Sequence, residues 1–360
     1  MSCISRLDIS SVRNIASALM EPSSGVNLLY GENGSGKTSV LESIHLLASG
    51  RSFRSSKLDP LIRHGDEEAV VYAELSGGQH IGLSKSRRKN HQLRYQNENQ
   101  KNWETVAREL PVQVLDSNSF LLLEGGPKSR RRFLDWGVFH VEPNFVSSWR
   151  NSRKAIANRN HLLKQSRLDV DQLEAWDREL CIFAEEVDEL RKAYFHDFNS
   201  AFRKVYESLG GTQIEELVLT YQRGWDFDRT LDEILAVGRQ TDIRYGATQN
   251  GPHRADVDVM LGKSRAVDIF SRGQQKILVS AMKIAQGVLL RDALDRKCIY
   301  LVDDLPSELD FENRSSVFAE LLSLGAQLFI TTVEVDNVLD CISSPLDMTK
   351  FHVEHGIIRT

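Results

Sequence analysis

The run Gly31-Glu32-Asn33-Gly34-Ser35-Gly36-Lys37-Thr38 has the spacing G-x-x-x-x-G-K-[ST]. Three glycines let successive backbone N–H groups turn inward on phosphate oxygens. Lys37 reaches the β and γ phosphates, and the Thr38 hydroxyl is a ligand for Mg²⁺. The flanks suit that chemistry. Val26 to Tyr30 read as a short buried strand, and Val40, Leu41, Ile44 and Leu47 recur at helical spacing. The loop therefore opens a helix, whose positive end favours anions. The expected ligands are ATP and Mg²⁺. A phosphate loop names a nucleotide and not a function.

A second acidic element follows at Ile299-Tyr300-Leu301-Val302-Asp303-Asp304, four apolar residues and then two carboxylates. A buried parallel strand that ends this way delivers its acids to the edge where open α/β sheets bind ligands. Asp303 is placed to hold Mg²⁺, and Asp304 to orient or deprotonate an attacking water. Thr38 and Asp303 are 265 positions apart. One parallel crossover needs far less, so something large is inserted between the two halves of the site.

Phe270-Ser271-Arg272-Gly273-Gln274-Gln275-Lys276 precedes a helix with the apolar face Ile277, Ala281, Ile284, Ala285, Val288 and Leu289. Ser271 stands at the N-cap position, and Gly273 leaves the surface open for a phosphate. By itself this is an ordinary capped helix. Its place about 30 residues before the acidic strand gives it a second reading, as another phosphate-binding surface.

Ser271-Arg272-Gly273-Gln274-Gln275 resembles the signature motif of ABC-type ATPases, and Ser307-Glu308-Leu309-Asp310 resembles their D-loop. Several further blocks stand beside these: Val12-Arg13-Asn14-Ile15, Gly125-Gly126-Pro127, Arg131-Arg132-Phe133-Leu134-Asp135-Trp136 and Gly251-Pro252-His253-Arg254-Ala255-Asp256. With them the chain resembles the RecF family of bacterial DNA replication and repair proteins, from near residue 4 to about residue 358.

The resemblance implies an α/β fold, an ABC-type P-loop ATPase head built from both chain ends with an inserted helical arm. The expected boundaries are 1–124 and 250–360 for the head and 125–249 for the arm. It also implies an ATP-driven homodimer in which Ser271, Arg272, Gly273 and Gln274 act in trans on a neighbour's nucleotide. Slow, DNA-stimulated hydrolysis, binding of duplex or gapped DNA, and RecA loading with RecO and RecR belong to the same expectation. By position, Gln113 resembles the Q-loop glutamine. The H-loop histidine of transporters is replaced by Thr331-Thr332 after Leu328-Phe329-Ile330, and Asp304 replaces their usual glutamate.

The net charge of −5, from 45 basic and 50 acidic residues, carries no global nucleic-acid signature but hides a local split. Residues 125–167 hold ten Lys or Arg against Asp135 and Glu142, a balance of +8, and residues 168–190 balance at −8. Residues 145–165 read as a weak helix with Trp149, Ile156 and Leu163 on one face. Leu173, Trp176, Leu180, Phe183, Val187, Leu190 and Tyr194 mark a long amphipathic one. Either the two helices neutralise each other, or Arg150, Arg153 and Lys154 present a basic surface to DNA phosphates. Trp136 and Trp149 are expected in the core rather than as stacking platforms. Arg87-Arg88-Lys89 is expected at a hairpin tip between strand-like segments 74–83 and 92–96, and segments 217–221 and 256–261 are expected as strands.

No apolar run approaches the ~20 residues of a membrane span, and the N-terminus, with Arg6, Asp8 and Arg13, lacks a secretory signal's apolar core. Cys3, Cys181, Cys298 and Cys341 lie too far apart for a zinc or disulfide framework. The expectation is a cytoplasmic protein without a membrane partner. A transporter ATPase subunit would share the loop and signature, but the long spacer, the absent histidine and the charge-split arm speak against it. An SMC-like clamp without useful turnover is the other rival. A metabolic kinase is disfavoured because no acceptor-substrate motif appears.

Overall fold

The strand expected at Val26–Tyr30 lies inside a six-stranded sheet, in a computed structural model that describes residues 3–55, 57, 60–304, 309–342 and 347–360. The strand order is Ile357–Arg359, Met348–Glu354, Val26–Tyr30, Gln327–Thr332, Ile299–Val302, Val112–Leu115. All neighbours are parallel except the terminal hairpin of Met348–Glu354 with Ile357–Arg359. Every residue of Gln327–Thr332 and Ile299–Val302 is buried, which is how parallel strands covered on both faces read.

A second six-stranded sheet is antiparallel and runs Ile15–Met20, Ile4–Val12, Glu68–Leu75, His80–Ser86, Gln92–Tyr95, Glu98–Gln100. The run expected as one strand over 74–83 is broken here by a turn. Leu75 and Gln79 close it through their backbones at 2.8 Å around Gly77 and Gly78, the latter at positive φ. One core joins Ile4, Leu7 and Ile9 of this sheet to Leu29, Leu301 and Phe329 of the other. Between them stand Val40, Leu41 and Ile44 of the helix Lys37–Ser49.

The chain divides into two compact units, the first from 1–119, 208–210 and 280–360, the second from 120–207 and 211–279. The second boundary therefore differs from the expected 249/250. The reason is strand pairing. Asp256–Leu261 pairs antiparallel with Leu217–Gln222, and Ser264–Arg265 adds to its other edge. Residues 250–279 are thus counted with the inserted part.

That unit also holds the helices Pro127–Val141, Phe145–Leu163, Val170–Ser208 up to Glu207, and Leu231–Tyr245. The second and third form the expected hairpin. Ala155 and Ile156 pack with Leu180 and Ala184, and Leu162 and Leu163 with Leu173. Trp136 and Trp149 are only half-buried. Trp149 donates its Nε1–H to Asp135 at 3.2 Å and lies under the Arg153 guanidinium at 4.8 Å.

The charge split is more than a pair of neutralising helices. Arg159 is fully buried, donating to Asp177 at 2.5 Å, Asp242 at 2.6 Å and Thr248 at 3.0 Å. Arg130 is bidentate on Asp256. Other acids of the long helix pair elsewhere, Glu185 and Asp188 with Arg223 and Glu174 with Arg239. Arg159→Ala would strand two buried carboxylates, so it is expected to lower the stability of this unit by about 3–5 kcal/mol. Urea unfolding followed by tryptophan fluorescence measures it, and a shift below ~1 kcal/mol would show that the carboxylates find other partners.

Candidate functional site: a phosphate loop facing an acidic strand end

The C-terminal ends of four parallel strands meet at one edge of the parallel sheet. Val26–Tyr30 leads into the glycine loop, Gln327–Thr332 brings Thr331, Ile299–Val302 brings Asp303 and Asp304, and Val112–Leu115 brings Asp116. The loop glycines have distinct reasons. Gly31, at φ 147°, would place a Cβ 2.2 Å from the Val353 carbonyl oxygen. Gly36, at φ 123°, would place one 3.1 Å from the Asn14 side chain. Helix Lys37–Ser49 starts without a side-chain cap, so its N–H groups face the loop.

Lys37 is buried and donates to the carbonyls of Gly31 at 2.8 Å and Glu32 at 2.9 Å. Burial lowers its pKa, opposed by the charges of Asp304 and then Asp303. Thr38 Oγ1 donates to Asp303 Oδ1 at 2.9 Å, so the two expected Mg²⁺ ligands touch. Burial raises the Asp303 pKa, opposed by the hydroxyls of Thr331 and Thr38. The Ser35 hydroxyl is buried without a hydrogen-bond partner among the described residues. An orphan hydroxyl, an uncapped helix start and an ammonium held on carbonyls fit an anionic phosphate ligand. A hydroxyl in contact with a carboxylate fits a hard divalent cation. Glu32, Asn33 and Gly34 are exposed at the tip of the loop.

Asn14 is the residue that motif reading left without a role. Its Nδ2 donates to the carbonyls of Ser35 at 2.9 Å and Gly34 at 3.3 Å, and its Oδ1 accepts from Ser39 Oγ at 3.0 Å. Beside it, Arg13 is bidentate on the buried Glu42 at 2.7 and 2.6 Å. The only sequence signal for this support was the block Val12-Arg13-Asn14-Ile15 itself, which says nothing about what the amide touches.

Gln113 is not at this edge. It pairs in register with Tyr300, three residues before Asp303, or about 10 Å back along the strand. It is buried and donates to Gln286 Oε1 at 2.8 Å. Its work is to dock the helix Arg272–Leu294 on the edge strand. Nearby Lys283 assists by bonding the Val114 carbonyl and Ser119 Oγ. Burial pushes the Lys283 amine down to about 8, with Asp116 opposing. Asp116 takes the edge position where Gln113 was expected.

Thr331 stands beneath the two aspartates, while Thr332 donates to the Glu334 carbonyl at 2.8 Å. Of the expected D-loop, Ser307 and Glu308 lie outside the described residues. Leu309 is buried, and Asp310 caps the helix Phe311–Ser323 through the Asn313 N–H at 2.9 Å.

The signature residues belong to the second unit, the loop and the aspartates to the first. Ser271 and Gln274 form a reciprocal cap. Ser271 N–H donates to Gln274 Oε1 at 2.9 Å, and Gln274 N–H to Ser271 Oγ at 3.3 Å. Arg272 pairs with Glu124 and lies over the Phe120 ring. Ser271, Arg272 and Gly273 are exposed, and a Cβ on Gly273 would meet nothing closer than 4.0 Å. Packing within the chain therefore does not require a glycine there. Arg150, Arg153 and Lys154 lie exposed on helix Phe145–Leu163.

Loop, acidic strand end and capped signature helix on a mixed α/β scaffold define an ABC-type P-loop ATPase head. Residues 3–355 match the RecF/RecN/SMC N-terminal domain family. The chain is 46% identical over 359 residues to the DNA replication and repair protein RecF of Pseudomonas fluorescens, covering 99% of this chain and 97% of that one. It is 44% identical to that of Pseudomonas syringae pv. tomato over the same shares. Among solved structures, the recombination mediator protein RecF-ATP in the RecFOR pathway superposes with a TM-score of 0.86 at 24% identity, over 99% of this chain and 96% of that one. An Smc head domain from Pyrococcus furiosus, bound to the C-terminal domain of ScpA, superposes at 0.61 and 13% identity, over 100% and 96%. The chain belongs to the RecF family of DNA replication and repair proteins. No helix among the described residues is long and apolar enough to cross a membrane.

Because Asn14 holds the loop carbonyls from outside, Asn14→Ala is expected to raise the dissociation constant for ATP about fivefold, on the order of one lost hydrogen bond. Isothermal titration checks it, with an unchanged constant showing that the loop keeps its shape unaided.

Proposed function

We propose that this protein binds ATP and Mg²⁺ at the Lys37–Thr38–Asp303 edge, hydrolyses ATP slowly, and uses the cycle to hold DNA as an ATP-bridged homodimer. In this reading it works in cytoplasmic recombinational repair and replication, stimulated by duplex or gapped DNA. It helps load RecA together with RecO and RecR. The observation that carries the reading is the 2.9 Å contact between Thr38 and Asp303 across 265 positions. Membership of the family, and the ATP and RecFOR pathway of the similar solved structure, support the choice of nucleotide and pathway.

Each residue then has a task. Lys37 leaves the carbonyls of Gly31 and Glu32 for the β and γ phosphates, and the loop N–H groups of Gly34, Ser35 and Gly36 line the phosphate chain. Thr38 and Asp303 would hold Mg²⁺, which supplies charge neutralisation between the phosphates. Asp304 orients the water and accepts its proton. Lys37→Ala removes a charge-assisted hydrogen bond, ~1.5–3 kcal/mol. ATP affinity should fall more than tenfold, and ATP-dependent DNA retention with it. Asp304→Asn should bind ATP and DNA yet hydrolyse ~10²–10⁴-fold more slowly, and Asp303→Asn should instead weaken Mg²⁺-dependent binding. Wild-type hydrolysis rates in both would overturn the assignment, and exchanged phenotypes would reverse the two roles.

The dimer follows from two phosphate-binding surfaces on one chain. Ser271 and Gly273 present an exposed helix start, which serves the nucleotide of a second copy in a C₂ arrangement. Ser271→Arg should spare ATP binding by the monomer and block dimerisation and hydrolysis. Mixed with Lys37→Ala it should recover part of both. One composite site then carries both defects and the other carries neither. Light scattering that finds wild type monomeric with ATP and Mg²⁺ would end the dimer reading. Arg150→Gln, Arg153→Gln and Lys154→Gln together should weaken binding to all DNA sequences alike. The salt dependence should also flatten, by about 0.9 for each phosphate that is no longer neutralised. An unchanged slope would remove this helix from the DNA surface.

A further inference from the structure

The position after strand Leu328-Phe329-Ile330 is where a transporter-type head would carry a histidine reaching the γ phosphate. Here the Thr331 hydroxyl has another occupation. Its oxygen accepts the Asp304 backbone N–H at 2.9 Å, and its proton goes to Asp303 Oδ1 at 2.8 Å. A threonine hydroxyl has one proton to give. While it is given to Asp303 it is not available to a phosphate. Thr331 is also fully buried, and Thr332 spends its own proton on the Glu334 carbonyl. Neither threonine is set to donate to a γ phosphate.

The bond to the Asp304 amide has a conformational meaning. Asp304 sits at φ 57°, in the left-handed region that a non-glycine residue enters at a cost. It does so two residues after a strand in which every residue is buried. Without an acceptor beneath it, that half-buried N–H would lose its partner in a strained turn, and the chain would relax to a more extended geometry. Relaxation would swing the Asp304 carboxylate away from the side of Lys37. The same hydroxyl braces the Asp303 oxygen opposite Thr38. One side chain thus sets the direction of both acids at the strand end.

We propose that Thr331 is a positioning residue for hydrolysis, holding Asp304 in its left-handed turn and Asp303 against Thr38, and that it is not the γ-phosphate contact of this site. The inference rests on the ATPase reading above. It separates turnover from nucleotide discrimination. A γ-phosphate donor, when removed, weakens ATP binding and leaves ADP binding alone. A positioning residue, when removed, slows turnover and changes the two affinities alike.

The test compares the full-length wild type with Thr331→Val, which keeps the shape and removes the hydroxyl, and with Thr331→Ser, which returns it. ATP and ADP affinities, steady-state turnover, and exchange of the Asp304 amide hydrogen, read from overlapping peptides without nucleotide, are measured on each. Thr331→Val should lower kcat at least tenfold, the order of the two hydrogen bonds it removes, with the ATP and ADP affinities changed by the same factor and the Asp304 amide exchanging faster. Thr331→Ser should restore turnover and protection. Should valine lower the melting temperature, Thr331→Ala takes its place in the same comparison. A selective loss of ATP over ADP affinity would make Thr331 the γ-phosphate contact and overturn the proposal. So would wild-type amide protection in the valine or alanine variant. A wild type that binds no ATP would defeat the functional reading instead, and the amide exchange would still decide the role of Thr331.

Discussion

A single contact between Thr38 Oγ1 and Asp303 Oδ1 closes this site, and strand order makes it necessary. Val26–Tyr30 and Ile299–Val302 are not neighbours, because Gln327–Thr332 lies between them. Two strand spacings separate them, about 9–10 Å. The glycine loop spans that gap by turning over the end of the middle strand and starting its helix above Asp303. The middle strand has to end in something small that satisfies what passes over it, and Thr331 meets that need. The site is thus a property of an edge at which four chain segments, distant in sequence, end at the same level. This is the place where open α/β sheets gather ligands.

The glycine loop has few bonds of its own, the Ser35 N–H on the Glu32 carbonyl at 3.2 Å and Lys37 on the carbonyls of Gly31 and Glu32. Support therefore comes from outside, and it comes from both chain ends. Asn14 holds the carbonyls of Gly34 and Ser35, and Gly356 N–H donates to the Ser35 carbonyl at 2.7 Å. Arg13 anchors the Asn14 turn on Glu42, itself fully buried in the loop's helix. A buried carboxylate with a bidentate partner is costly to break, so the turn bearing Asn14 is held to the same helix that the loop starts. The requirement for glycine at position 31 has the same origin, because the Val353 carbonyl already occupies the space of a side chain.

Short-range chemistry was legible in the sequence, and register was not. The glycine loop, the acidic strand end and the signature cap are runs of adjacent residues whose spacing carries their geometry. Each stands at the strand end or helix start that its run implied. Gln113 shows the limit. Its distance from the edge depends on how strand Val112–Leu115 is aligned with Ile299–Val302, and a four-residue strand fits several registers. The pairing of Tyr300 with Gln113 places Asp116 at the edge instead. The boundary near residue 250 failed to show for a related reason. Asp256–Leu261 reads as a strand, but nothing local says that its partner is Leu217–Gln222. Asn14 belongs to a recognisable block of sequence, yet its bonds to a loop twenty residues away follow only from the folded chain.

Charge counting has the same weakness, and the inserted unit shows why. A balance of +8 over residues 125–167 treats every basic residue alike. In the fold, Arg159 is a buried strut for Asp177 and Asp242, and Arg130 is a clamp on Asp256. Neither can meet a phosphate without dismantling its unit. Arg150, Arg153 and Lys154 are exposed on a helix whose other face packs Ala155, Ile156, Leu162 and Leu163. Arginine serves both tasks because its planar fork satisfies two carboxylates when buried and reaches phosphate when exposed. Burial, which follows from the apolar period of the helix, decides between them. The part of the charge that matters for a polyanion is therefore the part lying off that period, and the face carrying Arg150, Arg153 and Lys154 is the one left over once the core has taken what it needs.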